Sequence, residues 1–241
     1  MATILLGIEG HKQAGKDTFA ERLTARRGYT RIAFADPLRR VALSIDPVII
    51  PLDPDVTPRY ADRPDPNLDA RFRRVVQDEL EIAQGGTAER ARSALRALNP
   101  YVGIGQRLCD VIPEIGWDAA KESIPEVRRL LQYLGTECIR AHYGDDTWAS
   151  RGLAEAAKVD GPVVITDVRF PNEARAIQDA GGYLVRITRN DRDISGDRAH
   201  ASEALINRLP ADLEVANDAS IAHLWRKADA LADALGAKKA A

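Results

Sequence analysis

Sulfur is scarce in this chain, with two cysteines and one methionine among 241 residues. Cys109 and Cys138 lack metal-ligand spacing and both fall in stretches of helical pattern. Two buried free thiols in a reducing cytoplasm are therefore expected. Long apolar runs are absent: none approaches the roughly 18 residues that a membrane helix requires. The longest, around Ile4 to Ile8, has the length of a strand. The first residues have neither the basic start nor the apolar stretch of a secretory signal. No sign of charge prevails, with 34 basic against 36 acidic residues and a net charge of −2. A general duplex-nucleic-acid binder carries a basic excess, so that class is disfavoured. Lysine is rare as well. Only seven of the 34 basic residues are lysine and the rest are arginine, which reflects either codon bias or arginines that grip phosphate bidentately.

What is present is a globular composition, 45% hydrophobic and 29% charged, which excludes a disordered chain and a membrane protein. Residues 3–9 form an almost continuous apolar run, as a strand buried on both faces does. A loop follows from Gly10 to Gly15, then a helix from Asp17 to Arg27 that Gly28 ends. Further strands are expected at 30–35, 162–168, 183–188 and 213–216. Helices are expected from Pro37 to Ser44 and over 124–142, 146–159, 172–180 and 220–235, with a short one from Ser202. Strands alternating with helices predict a three-layer α/β/α fold around a parallel sheet. Prolines break up residues 46–66, and two charged helices are expected between 68 and 98. Residues 46–100 are taken as an insertion of undisclosed role within a single domain spanning 1–241.

The string Gly10-His11-Lys12-Gln13-Ala14-Gly15-Lys16-Asp17-Thr18 leaves a buried strand and opens a helix. It satisfies G-x-x-x-x-G-K, the phosphate loop, in the context that makes the pattern meaningful. Backbone N–H groups of Gly10 to Thr18, Lys12 and Ala14 included, and the positive end of the helix would surround the β-phosphate. Lys16 would bridge β- and γ-oxygens. Asp17 stands where a Ser or Thr usually meets Mg²⁺. A carboxylate beside phosphates implies a cation between them, so Asp17 is a candidate metal ligand, with Thr18 on the α-phosphate.

The apolar strand at 163–168 ends in Asp167-Val168-Arg169-Phe170-Pro171-Asn172-Glu173. Ligands of an open parallel sheet collect at the carboxyl ends of its strands. Strand alternation would put Asp167 and Arg169 on one side. Asp167 would then orient the metal or its water, and Arg169 would neutralise the phosphoryl group in flight. The alternative is a structural ion pair.

Five strings together resemble the phage-type deoxynucleoside monophosphate kinases of the P-loop nucleoside-monophosphate kinase superfamily. They are Gly10 to Thr18; Phe34-Ala35-Asp36-Pro37-Leu38; Leu130 to Glu137 with Arg140; Asp167 to Glu173; and His200-Ala201-Ser202-Glu203. The likeness covers residues 3–44 and roughly 101–225 and fails over 46–100. It implies a cytoplasmic enzyme (in the host cytoplasm, were the chain viral) that uses ATP and Mg²⁺ to phosphorylate a deoxynucleoside 5′-monophosphate. Such an enzyme has small nucleotides as partners, neither nucleic acid nor membrane, and acts alone or as a homodimer.

The resemblance makes 101–160 the helical acceptor-binding region and 189–201 the lid. Phe34, Asp36, Gln132, Thr136, Arg140 and Arg169 are its implied acceptor ligands. Asp36 reads equally well as a helix cap. Gln132, Thr136 and Arg140, four residues apart on one helix, are either an acceptor face or a solvated one. Trp148 reads better as core than as a stacking platform. Arg189 and Arg192 are the candidate lid arginines, beside ordinary surface charge as the plain reading. Asn217 lies where the superfamily often holds adenine, or else in a turn. Two other functions fit the residues: a kinase of another phosphorylated acceptor, such as dephospho-CoA or phosphomevalonate, and a non-catalytic nucleotide switch.

Overall fold

The computed structural model describes residues 4–11, 13–51, 105–140, 144–189 and 211–240. The expected helices between 68 and 98, the helix from Ser202 and all but the first residue of the lid lie outside them. The chain divides into two compact units, Met1–Asp36 with Trp148–Ala241, and Pro37–Thr147.

The first unit is built on five parallel strands in the order β2-β5-β1-β6-β7. They are β1 (Leu5–Glu9), β2 (Thr30–Ile32), β5 (Val163–Ile165), β6 (Tyr183–Thr188) and β7 (Leu213–Ala216). Alternation along each strand divides its side chains between two cores. Leu6, Ile8, Val164, Val185 and Ile187 face α1 (Lys16–Arg27) and α7 (Ile221–Ala240), meeting Phe19, Leu23, Leu224 and Ala228. Leu5, Val163, Ile165 and Leu184 face the other way, onto Ala149 and Ala156 of α5 (Thr147–Ala156) and Ala174 and Ile177 of α6 (Pro171–Asp179). The expected α/β/α sandwich is the architecture of this unit. Central β1 is buried along its whole length. Gly28, with φ of 69°, closes α1 in the left-handed conformation.

The second unit holds most of α2 (Asp36–Ile45) and an antiparallel pair of strands, β3 (Val48–Pro51) and β4 (Gly105–Arg107). α3 (Leu108–Ser123), kinked at Gly116, leads to α4 (Pro125–Gln132) and a π-helix (Tyr133–Arg140). Arg107 is tied to Asp46 by Nε at 2.7 Å, and the backbone N–H of Cys109 donates to the same carboxylate at 2.8 Å. These bonds clamp the two strands at the base of their ladder.

Several expectations need correction. β2 stops at Ile32, not Ala35, because the next three N–H groups are taken by side chains: Ala33 donates to Asp36, and Phe34 and Ala35 to Asp167. β5 ends at Ile165, so Asp167 and Arg169 lie beyond the strand and its alternation does not place them. The expected helix over 124–142 changes from α to π at Tyr133. Val48–Pro51, inside the expected insertion, is a strand. Cys109 is exposed, not buried, since α3 turns Leu108 and Val111 inward. Its thiol donates to the carbonyl of Leu43, and desolvation with the Asp46 hydrogen bond pushes its pKa up to about 11. A thiol held protonated is a poor nucleophile. The side chain of Cys138 lies outside the described residues. Among the described residues no helix is long and apolar enough to cross a membrane.

Candidate active site

Parallel strands place all their carboxyl ends at one edge of the sheet. Gly10, Phe34, Asp167, Arg189 and Asn217 therefore follow β2, β5, β1, β6 or β7 at the same edge. β1, flanked by β5 and β6, is where the strand order reverses, the position where open α/β sheets bind ligands.

The loop after β1 is shaped for close backbone approach. Gly10 (φ 147°) and Gly15 (φ 99°) use conformations that L side chains rarely adopt. A Cβ on Gly10 would collide with the carbonyl oxygen of Ile187, and one on Gly15 would stand 2.6 Å from the amide nitrogen of Asn217. Between them Gln13 is also left-handed, with φ of 63°. Gly15 is the N-cap of α1 and supplies no side-chain hydrogen bond to it. The first turn of α1 thus meets the loop without a side-chain cap at its N-cap residue, at a helix end where anions are favoured.

Lys16 donates from Nζ to the carbonyls of Gly10 and His11, both at 2.6 Å. Its ammonium is folded into the loop it would serve. Asn217 donates from Nδ2 to the carbonyl of Ala14 at 3.0 Å, and from its backbone to that of Thr188 at 2.6 Å. Its side chain braces the loop, and nothing in its residue type announced this contact across 203 positions. Ala14 is buried, Thr18 half-buried, and Lys12 lies outside the described residues.

The two candidate metal ligands have different surroundings. Asp17 is 88% exposed at its side chain, with Arg31 at 3.9 Å. Asp167 accepts from the backbone N–H of Phe34 at 2.7 Å on one oxygen and of Ala35 at 2.9 Å on the other. It thereby joins two of the strings that the sequence kept 132 residues apart. Hard carboxylate oxygens suit Mg²⁺, which takes one or two of them together with phosphate oxygens and water. Both offer the hard carboxylate oxygens that such a cation takes. Among the described residues no cluster of three or more candidate ligands exists.

Glu173 explains the end of the Asp167–Glu173 string. It is 3% exposed, and its Oε2 accepts from the N–H groups of Arg169 at 2.8 Å and Phe170 at 3.1 Å. With Pro171 at the first turn, this caps α6. Arg169, four residues beyond β5, and Arg189, directly after β6, are exposed, and Arg192 lies outside the described residues. Phe34 is core, its ring against Gly152, and Trp148 is buried. Asp36 caps its own turn, accepting from Ala33 at 2.8 Å.

In the second unit, Gln132 closes α4, while Thr136 and Arg140 belong to the π-helix. Gln132 and Thr136 are exposed and Arg140 half-buried. Helices of this i→i+5 type are rare and recur at functional sites.

Residues 106–228 match the deoxynucleotide monophosphate kinase family. That span is half of the chain. The chain belongs to the deoxynucleotide monophosphate kinase family. The sequence is also similar to a protein of Acanthamoeba polyphaga mimivirus named "Putative deoxynucleotide monophosphate kinase", with 25% identity over 235 residues and 92% of each chain covered. The family match begins beyond the phosphate loop, whereas the viral relative aligns along nearly the whole chain. As a member of this family the protein is a kinase. One residue beside the candidate site escaped sequence reading altogether: Glu9, fully buried at the end of β1 directly before Gly10. An acid closing an apolar run was its only signal.

Proposed function

We propose that the protein transfers the γ-phosphoryl group of ATP to the phosphate of a deoxynucleoside 5′-monophosphate, yielding the diphosphate and ADP. The start of α1, without a side-chain cap at Gly15 and beneath a glycine-shaped loop with Lys16 folded into it, is the observation that carries this reading. A polyphosphate entering the loop takes the N–H groups of Gly10 to Thr18, and Lys16 leaves the carbonyls of Gly10 and His11 to follow the γ-phosphate. Mg²⁺, when bound, neutralises charge on the phosphates; Asp17 and Asp167 would hold it.

An acceptor phosphate oxygen attacks the γ-phosphorus as the bond to the β,γ-bridging oxygen breaks, and the electrons leave on ADP. Arg169, Arg189 and Arg192 spread the charge that develops on the transferring group. Asp167 also holds the Phe34–Ala35 backbone, fixing the turn in which Asp36 sits. Phe34 and Asp36 act on the acceptor as parts of that turn, and Gln132, Thr136 and Arg140 are the further acceptor ligands that the family resemblance implies. Asn217 supports the ATP site by bracing Ala14.

The test is ADP release with ATP, Mg²⁺ and each of the four deoxynucleoside monophosphates in turn. Dephospho-CoA and phosphomevalonate serve as competing acceptors. Turnover that stays near zero until one deoxynucleoside monophosphate is added supports the reading. Equal ATP turnover with no acceptor present contradicts it.

A further inference from the structure

Glu9 and Arg186 are opposed in register on β1 and β6, and Arg186 is opposed in turn by Glu214 on β7. Arg186 donates from Nε to Oε1 of Glu9 at 2.6 Å and from Nη1 to Glu214 at 3.0 Å. The rung runs from a fully buried carboxylate to an exposed one, with Arg186 itself 15% exposed at its side chain. The second oxygen of Glu9, Oε2, is buried and has no hydrogen-bond partner among the described residues.

Stability alone does not account for a carboxylate in this place. A buried ion pair often contributes no more than well-packed apolar side chains of the same volume. The surroundings suggest another use. Gly10, the next residue, begins the phosphate loop and lies against the carbonyl of Ile187, the residue after Arg186. The carbonyl of Gly10 holds Lys16. The spacing of β1 and β6 at this one rung therefore sets the backbone that meets phosphate. A lone negative charge buried directly before the loop would oppose a polyphosphate held there.

We propose that Arg186 is a positioning residue for ATP, acting through Glu9: it neutralises and orients the buried carboxylate beneath the phosphate loop. The inference rests on the proposed ATP site, and its test needs no acceptor. The dissociation constant for ATP is measured by calorimetry on full-length wild type, Arg186→Met, Glu9→Gln and the double variant, each confirmed folded by its thermal melt.

Arg186→Met leaves Glu9 without its main counter-charge and weakens ATP binding by about tenfold or more. Adding Glu9→Gln removes that charge at constant shape and restores most of the affinity. In steady state the KM for ATP rises in Arg186→Met while kcat and the acceptor KM stay near wild type, a split that general loosening of the fold would not produce. Wild-type ATP affinity in a folded Arg186→Met protein, or loss that the second substitution does not reverse, overturns the proposal. Should Arg186→Met fail to fold, Glu9→Gln decides alone. It keeps the acceptor for Arg186 Nε and lowers the negative charge, so ATP binds at least as tightly, and clearly weaker binding overturns the proposal. Wild type that binds ATP yet phosphorylates no acceptor would defeat the kinase reading and leave this inference standing.

Discussion

At the scale of single residues, the proposed phosphate site rests on one cation, Lys16, and on two carboxylates, Asp17 and Asp167, in different surroundings. Lys16→Ala deletes the charge expected to track the γ-phosphate, while the loop's backbone shape rests on Gly10, Gly15 and the Asn217 brace. The variant should fold and lose about 10²-fold or more in turnover, roughly 3 kcal/mol of transition-state stabilisation. Thermal melts beside ADP-release rates check both halves. Asp17→Ser restores the common hydroxyl and should keep substantial activity with a shifted Mg²⁺ requirement, read by magnesium titration. Asp167→Asn meets a different obstacle. It offers one acceptor oxygen where two backbone N–H groups donate, and an unsatisfied buried donor costs about 1–3 kcal/mol. Its melting temperature and turnover should both fall, whereas Asp17→Ser should spare the melt. A Mg²⁺ titration unchanged in both variants would remove the two carboxylates from the metal's surroundings. The loop was legible in the sequence because glycine spacing and a following lysine describe backbone geometry directly. The partners of Asp167 and Asn217 were not, because both bonds reach across the sheet edge to backbone atoms, which carry no residue-specific signal.

At the scale of elements, the antiparallel pair β3–β4 decides how the chain leaves and re-enters the second unit. Pro51 is opposed to Gly105, so the two residues that flank 52–104 are partners across the ladder. Replacing 52–104 with a two-residue Asn-Gly turn should therefore close a hairpin without moving Asp46 or Arg107. We expect the shortened protein to remain folded and to phosphorylate its acceptor at a measurable rate. A soluble, folded deletion variant that is inactive would assign the excised stretch to the reaction. Proline clustering marked this region from sequence, but the pairing that defines its base joins residues more than fifty positions apart. The π-helix was equally hidden. Apolar spacing of three and four residues in Leu130 to Arg140 is compatible with both α and π windings, and only the hydrogen-bond partners distinguish them.

At the scale of the whole molecule, stability against acid depends on how the C-terminal helix is fastened. Arg22 and Arg27 of α1 both bind Asp229 of α7, at 2.7 and 2.9 Å, and Arg22 also stacks over Trp225. Hydrogen bonds from Arg22 and then Arg27 hold the Asp229 carboxyl down to about 2, against 3.8 in an unstructured chain. The unfolded state then takes up its proton first as acid is added. The contribution is complete above the usual aspartate range and is lost as pH falls toward 2. Asp229→Asn should lower the melting temperature at neutral pH and flatten its decline in acid, a comparison that two pH series of thermal melts make directly. Glu9 works in the opposite sense. Burial raises its pKa above 4.5, so its ionisation costs stability increasingly as pH climbs through and above the ordinary glutamate range.

The sequence by itself determined the alternation of strands and helices, the phosphate loop and the family. These are written in local periodicity, in glycines whose φ a side chain would forbid, and in short strings of contiguous residues. Tertiary structure alone decided that the chain forms two compact units and that Asp167 pins the turn after β2. It also decided that Asn217 braces the loop and that a fully buried Glu9 answers Arg186. Each of these joins atoms distant in the chain, and their partnership follows from the order and register of parallel strands, which no single stretch of sequence contains.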